Sequence, residues 1–432
     1  MINRWYFLLF AALGLEVSAS PQIQHWTMDN GARAYFVETH QISMVQFAVS
    51  FDAGSVRDPD SLQGVANFVN AMIEEGSADM DGIQVAEQLE SVGAEFSAGS
   101  GRDMSVFELR SLSDAPLLRP AVDVFSKLMQ QPTFPKNAIE RVRDRILVGL
   151  KRREQSPGSV ASLAFYDNLY EGHPYSNPPA GIVGGVKRVR GQDLLNFYQT
   201  FYVGANALIV IVGDLSIGEA RSWAGNIVGG LPSGVKPEAI PEVKQIRQNN
   251  SLSIAFPSSQ THLMMGQVGI ARNDPDYFPL YVGNHILGGA GLISRLAHDI
   301  REERGLAYSV SSYFYPMRKA GPFLISLQTR NDQAAVAEEL SIDALRRFVE
   351  QGPDPSELES AKRNITGGFP LRISSNKKIA NNILSIAFYD LPLDYLVTFR
   401  ERINNVSLEQ VKNAFQRRVF PDRLLHVLVG GN

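Results

Sequence analysis

The sequence predicts an α+β protein of two related domains, each a mainly antiparallel sheet with helices packed on it, joined by a linker. Three observations carry this. The halves end alike: residues 189–216, VRGQDLLNFYQTFYVGANALIVIVGDLS, and 406–432, VSLEQVKNAFQRRVFPDRLLHVLVGGN, each give a polar cap, an amphipathic helix, a short turn and an apolar strand closing in Val-Gly. They also begin alike, with the alternating stretches SMVQFAVSFDAGS (43–55) and HLMMGQVGIARND (262–274), each leading through a turn region to a helix. Between them LPSGVKPEAIPEVKQIRQNN (231–250) holds three prolines, mixed charge and few apolar positions, the composition of a connection.

Taken in order, residues 1–20 have Arg4 in a short basic start, an apolar run over 5–15 and the small-residue sequence VSA at 17–19, the pattern of an export signal. The expectation is an exported, periplasmic protein, with an uncleaved N-terminal anchor as the alternative. An N-terminal domain then fills 21–230, a linker 231–249 and a C-terminal domain 250–432. Within the first domain QGVANFVNAMIEEGS (63–77) reads as a helix, with Ala66, Phe68, Val69, Ala71, Met72 and Ile73 as its apolar body and Gly76 as its stop. Longer helices are expected over 135–154 and 332–351. Gln192 and Glu409 fall in the first turns of the closing helices, and the strands 207–212 and 424–429 are continuous apolar runs, as strands buried on both faces are.

Composition narrows the function. A net charge of −4, from 41 basic and 45 acidic residues, argues against nucleic acid as the partner. With no cysteine, thiol catalysis, disulfides and Cys-based zinc sites are excluded. No run after residue 20 approaches the roughly 18 apolar residues that a membrane span requires.

The segment DAGSVRDPDSLQGVANFVNAMIEEGS resembles the N-terminal segment of the pitrilysin/insulinase metallopeptidases, in the small-subunit branch that includes mitochondrial processing peptidase. That family has G-x-A-H-x-x-E-H, an inverted zinc motif with two His on one helix face and a Glu general base between them. Gly64 and Ala66 keep their places here, but Asn67 and Ala71 stand for the two His and Asn70 for the Glu. Downstream, ERVRDRILVGLKRREQSP (140–157) resembles the segment bearing the last ligand, whose position falls at or beside Gly149. The resemblance thus implies no metal in this protein. None of the seven histidines is four residues from another; His298 with Glu302 is the best local pair, and it reads as a solvated helix face. The resemblance further implies that AEFSAGSGRDMSVFELRSL (94–112) contains the edge strand on which catalytic relatives align a peptide, with Ser97, Gly99, Ser100 and Gly101 leaving an open backbone.

The second half keeps what the first has lost. GGAGLISRLAHDIREERGLAYSVSSYF (288–314) resembles the family's C-terminal signature, with Ile300 where Leu is common. Alone, Arg301 would be a helix-end cation and Tyr308 a core strand residue. The resemblance implies instead that Arg301 engages a peptide carbonyl and that Tyr308 donates to the oxyanion developing at the scissile carbonyl. Gly288, Gly289 and Gly291 are expected in the turn before that helix, as a hinge, a helix entry or a substrate contact.

The function implied is that of a non-catalytic, substrate-binding subunit of a heteromeric zinc endopeptidase acting on peptides or unfolded proteins. Arg301 and Tyr308 would act in trans at the zinc site of a homologous partner with an intact H-x-x-E-H, and that partner would hold the zinc. The alternatives are an inert scaffold and, further off, an autonomous metallopeptidase with an unrecognised site.

Overall fold

The computed structural model describes residues 22–245 and 249–431, so the expected export signal and residues 246–248 of the expected linker lie outside the described residues. The strands are β1 (Gln24–Thr27), β2 (Arg33–Glu38), β3 (Met44–Phe51), β4 (Gly76–Ser77), β5 (Met80–Asp81), β6 (Glu95–Ser100), β7 (Ser105–Leu112), β8 (Ala207–Gly213), β9 (Asn250–Ile254), β10 (Gln260–Val268), β11 (Ala307–Phe314), β12 (Pro322–Arg330) and β13 (Leu425–Val429). β4 and β5 form a small hairpin. The others form a six-stranded sheet in the order β1-β2-β8-β3-β7-β6 and a five-stranded sheet in the order β9-β13-β10-β12-β11. Apart from β1 the two sheets have one topology. In each, the last strand of its half lies between a parallel and an antiparallel neighbour, β2 and β3 around β8, β9 and β10 around β13. The edge hairpins β6–β7 and β11–β12 correspond. The predicted α+β class with two related, mainly antiparallel sheets is what the protein forms.

One face of the first sheet, with Phe36, Phe47, Val49, Phe51, Leu109 and Ile211, is covered by helices of its own half, among them Val65–Met72, Ala115–Gln130, Gly191–Phe201 and Ile217–Val228. The opposite face, with Tyr35, Val37, Ala48, Val210 and Val212, joins the core of the second half through the helix Asn376–Phe388. In return the helix Pro157–Leu169 of the first half lies on β10 and β13, packing Ala161, Phe165 and Leu169 against Met264, Leu425, Val427 and Val429. Each half therefore lends the other a helix. This is why β8 is buried at every residue and reads ALIVIVG without alternation.

A polar contact ties the halves as well. The tip of the β6–β7 hairpin places Asp103 in the interior, where it accepts hydrogen bonds from Tyr175 Oη at 2.8 Å, Tyr389 Oη at 3.0 Å and the Arg318 backbone N–H at 2.9 Å. Burial raises its carboxyl above the usual range. Residues 231–245 carry no helix or strand. Among the described residues no helix is long and apolar enough to cross a membrane.

Candidate functional site

The stretch read as a helix over 63–77 is an α-helix over Val65–Met72, followed by a 3₁₀ turn over Ile73–Glu75. Its start is delayed by Gly64, at φ +110°, a conformation open to glycine, with Val186 and Gly181 too near for a side chain. Asp58 then caps the helix from outside, its carboxylate accepting from Gly64 N at 2.6 Å and Ala66 N at 2.9 Å. Asp58 is buried, and this desolvation pushes its carboxyl up to about 7 against the pull of the two donors.

The positions of the degenerate motif meet a second helix, Lys136–Glu154. At the end of the first helix Glu75 is buried and clamped by Arg141 (Nη1 at 3.2 Å, Nη2 at 2.6 Å) and by Arg145 (Nη2 at 3.3 Å). Residues four apart share a helix face, so Asn67, Ala71 and Glu75 form one stripe and Arg141, Arg145 and Gly149 the other. With Glu75 paired to Arg141 and Arg145, the register continues antiparallel and brings Gly149 toward Asn67 and Ala71. The four positions thus share one region, with no ligand among them. Zinc takes imidazole nitrogen, thiolate or carboxylate oxygen; here it would find two amides, a methyl group and a glycine hydrogen, and the residues do not fit the ion. Asn70 is 4% exposed and spends its amide on the carbonyl of Gly99 in β6 at 3.1 Å. A neutral amide is also no general base.

β6 is the edge of its sheet, pairing with β7 alone, and its residues are largely exposed. Beside it, a cavity of about 1100 Å³ runs between the helix Gly82–Ser91 and the start of the helix Lys136–Glu154, with Glu75, Glu90, Glu95, Phe96 and Arg141 in its wall.

The second half repeats this arrangement with different chemistry. Asn284, on the helix after β10, donates to the Ser312 carbonyl of edge strand β11 at 3.0 Å, as Asn70 donates to Gly99 of β6, and also accepts from Ser312 Oγ at 2.7 Å. The helix Tyr277–Asn284 runs on as a π-helical turn over His285–Gly289, a second π-helical turn spans Ala297–Glu302, and between them lies a 3₁₀ turn over Gly291–Ile293. Such turns are rare and recur at functional sites. The expected turn over Gly288, Gly289 and Gly291 is therefore only partly present. Gly288 and Gly289 end a helix, and Gly291, at φ +61°, opens the connection. Gly288 is buried where a Cβ would lie 2.4 Å from Ser312 Oγ, so it serves close packing on β11 and not substrate contact.

Arg301 lies in the last turn of its helix. Gly305, at φ +62°, closes that turn with its N–H on the Arg301 carbonyl at 3.0 Å, and Leu306 N donates to Ile300 O at 2.9 Å. The backbone then enters β11, where the register against β12 jumps from Ala307↔Thr329 to Ser309↔Gln328. Tyr308 is the extra residue of this bulge, a device that re-aims a side chain. It is 76% exposed, and the Arg301 guanidinium carbon stands 5.0 Å from its ring centroid. Among the described residues Arg301 has no carboxylate partner. The structure thus brings together the two residues singled out in the sequence, on an open sheet edge, with Tyr308 exposed and Arg301 half-buried beside it. Tyr308 is no core residue.

One cluster among the described residues has metal-ligand spacing: His298, Asp299 and Glu303. Arg347 donates to Asp299 at 2.6 Å and Arg304 to Glu303 at 2.8 Å, so its charge is already matched, and His298 and Glu302 stand exposed as a solvated helix face should.

Comparison with known proteins agrees with this division. A family model described as insulinase (peptidase family M16) matches residues 33–181, and one described as the peptidase M16 inactive domain matches 188–365. The protein belongs to the M16 family. The solved structure of a peptidase M16 inactive domain from Pseudomonas fluorescens is similar with a TM-score of 0.92 and 36% identity over 95% of this protein and 98% of that one. The non-peptidase homolog YmxG of Helicobacter pylori is 24% identical over 94% of this protein and 93% of its own length. The mitochondrial-processing peptidase subunit beta of Lentinula edodes is 25% identical over 83% and 79%. The periplasmic protease PqqL of Escherichia coli shares the fold, with a TM-score of 0.79 and 17% identity; 96% of this protein matches 48% of PqqL. This M16 protein is a non-catalytic member: the inactive-domain match, the non-peptidase relative and the lost ligand positions agree.

Sequence reasoning missed the π-helical turns, the bulge at Tyr308 and the Asp58 cap. A signal for the last was present: Asp-Pro-Asp occurs at 58–60 and again at 274–276, before the corresponding helix of each half.

Proposed function

We propose that this protein is the non-catalytic, substrate-binding subunit of a heteromeric zinc endopeptidase acting on peptides or unfolded proteins. It presents Arg301 and Tyr308 in trans to the active site of a homologous, zinc-bearing partner with an intact H-x-x-E-H, and both subunits are exported to the periplasm. One observation carries the reading. Arg301 stands half-buried against the exposed Tyr308 ring with no carboxylate partner among the described residues, while the four degenerate motif positions carry no imidazole, thiolate or carboxylate.

The partner's zinc supplies Lewis-acid activation of water. The work of this subunit is positional and electrostatic. Arg301 offers two parallel N–H donors to a peptide carbonyl and fixes the substrate backbone. The Tyr308 hydroxyl donates to the scissile carbonyl oxygen as negative charge develops on it. The cation over its ring holds the phenol in place. The match to about half of PqqL supports the idea that two units of this size act together.

Co-expression with an exported homologue bearing H-x-x-E-H tests the proposal. The two proteins should co-purify and cleave an unfolded protein together, with neither cleaving it alone. Hydrolysis by this protein by itself, or full activity of the homologue without it, would overturn the reading.

A further inference from the structure

A second cavity lies in the C-terminal half, away from the Arg301–Tyr308 pair. It holds about 330 Å³, at the small end of the roughly 300–1,000 Å³ typical of ligand sites. Tyr277, Tyr281, Tyr313 and Phe314 give it aromatic walls, and Arg372 and His285 supply its polar groups. No Asp or Glu lines it. Arg372 lies over Tyr281, its guanidinium carbon 5.6 Å from the ring centroid, and donates one N–H to the Tyr281 hydroxyl. Among the described residues it has no carboxylate partner, so the rest of its fork is unspent. His285 begins the π-helical turn, and its Nε2 is buried without a hydrogen-bond partner.

We infer that this cavity is a carboxylate-binding pocket for a peptide, with the aromatic walls taking an apolar or aromatic side chain next to that carboxylate. A guanidinium without a counter-charge, set against aromatic faces, matches a planar carboxylate in charge and shape. Burial and the nearby Arg372 charge lower the His285 pKa, so the imidazole is neutral at pH 7 and Arg372 supplies the charge.

The position gives such a pocket a use. Tyr313 and Phe314 end β11, and Tyr308 begins it. β11 is a sheet edge with the sequence AYSVSSYF, without the Lys, Pro or charge that usually blunts an exposed edge. At about 3.3 Å per residue, the five-residue step from Tyr308 to Tyr313 is roughly 16 Å. A peptide anchored here by its carboxylate and extended along β11 would reach the Arg301–Tyr308 pair about five residues away.

The carboxylate has two sources, the C-terminus of a peptide or an Asp or Glu side group within it, and binding measurements on this protein alone distinguish them. Three fluorescein-labelled decapeptides serve as probes: one ending in Phe with a free carboxylate, the same peptide amidated, and the amidated peptide with Glu before the Phe. The free acid should bind at least tenfold more tightly than the amide. Recovery of affinity in the Glu peptide assigns the side-group source, and its absence assigns the C-terminus. Arg372→Gln should abolish the preference for acid over amide, and Arg372→Lys, which keeps the charge but loses the fork, should retain part of it. Arg372 is exposed, and circular dichroism checks that both variants fold. Equal binding of acid and amide, no saturable binding of either, or an unchanged preference in Arg372→Gln overturns the inference. The assay needs no partner subunit, so its failure leaves the trans-acting role of Arg301 and Tyr308 standing.

Discussion

Replacing Asp58 by Asn separates the charge of the helix cap from its shape. Asp58 holds the helix that carries Asn67, Asn70 and Ala71 through two backbone N–H groups, and burial pushes its carboxyl from 3.8 up to about 7. The folded protein therefore holds a proton there more tightly than the unfolded state does. The stability this contributes is complete below about 3.8 and is lost as pH rises through about 7. Within that window the loss is about 1.4 kcal/mol per pH unit, so roughly 2–3 kcal/mol disappears between pH 5 and pH 8. Asn cannot titrate; it keeps one oxygen for one N–H and leaves the other donor unpaired, at a cost of about 1–2 kcal/mol. Asp58→Asn should therefore be less stable than wild type at pH 5, and the gap should close or reverse by pH 8. Urea unfolding of both proteins at constant ionic strength across this range measures the difference, in which the other titrating groups cancel. A gap that widens as pH rises would mean that the ionised carboxylate is the favoured form, and would refute the reasoning.

Three further outcomes follow from the degenerate site. Gly149 is exposed in the middle of a helix, with no atom within 4 Å of an added Cβ; Gly149→Ala should stabilise the protein by about 0.5–1 kcal/mol in denaturant unfolding, and a loss would show that the site needs glycine. Glu75→Ala removes the buried carboxylate between two half-solvated arginines and should cost about 1–3 kcal/mol by the same measurement; a change below about 0.5 kcal/mol would make the clamp an ordinary surface contact. Elemental analysis of the purified protein should find no stoichiometric zinc, and one chelation-resistant zinc per molecule would contradict the assignment of Asn67, Asn70, Ala71 and Gly149.

The degree to which each feature can be read in advance follows from how local its cause is. The apolar run of β8 marks a strand buried on both faces, because burial erases alternation. Its second cover is not legible, because the helix Asn376–Phe388 comes from the other half and its packing is a long-range event. Asn67, Asn70 and Ala71 are legible through spacing on one helix. Gly149 is assigned by resemblance alone, to within a residue, because the Glu75–Arg141–Arg145 clamp that pairs the two helices is a contact between segments far apart in sequence. Arg301 and Tyr308 stand out by motif, but the bulge that exposes Tyr308 is a property of pairing with β12 and leaves no local mark. The turn expected at Gly288 and Gly289 rests on glycine's freedom to take φ > 0 or to admit a close neighbour; at Gly288 it is the close neighbour, Ser312, that requires glycine, and the helix runs on through it.

The most direct test of the trans-acting pair is steady-state kinetics of the reconstituted two-subunit peptidase carrying Tyr308→Phe in this subunit. The substitution removes one hydroxyl from an exposed side chain and keeps the ring beneath Arg301. If the hydroxyl donates to the developing oxyanion, kcat should fall on the order of a hundredfold, about 2.7 kcal/mol, with subunit stoichiometry by light scattering unchanged. Arg301→Ala in the same complex should lower kcat/KM, with KM rising where the contact is to the substrate backbone alone. Wild-type kcat and KM in both variants, in a complex of normal stoichiometry, would contradict the role assigned to the pair and leave this subunit a scaffold.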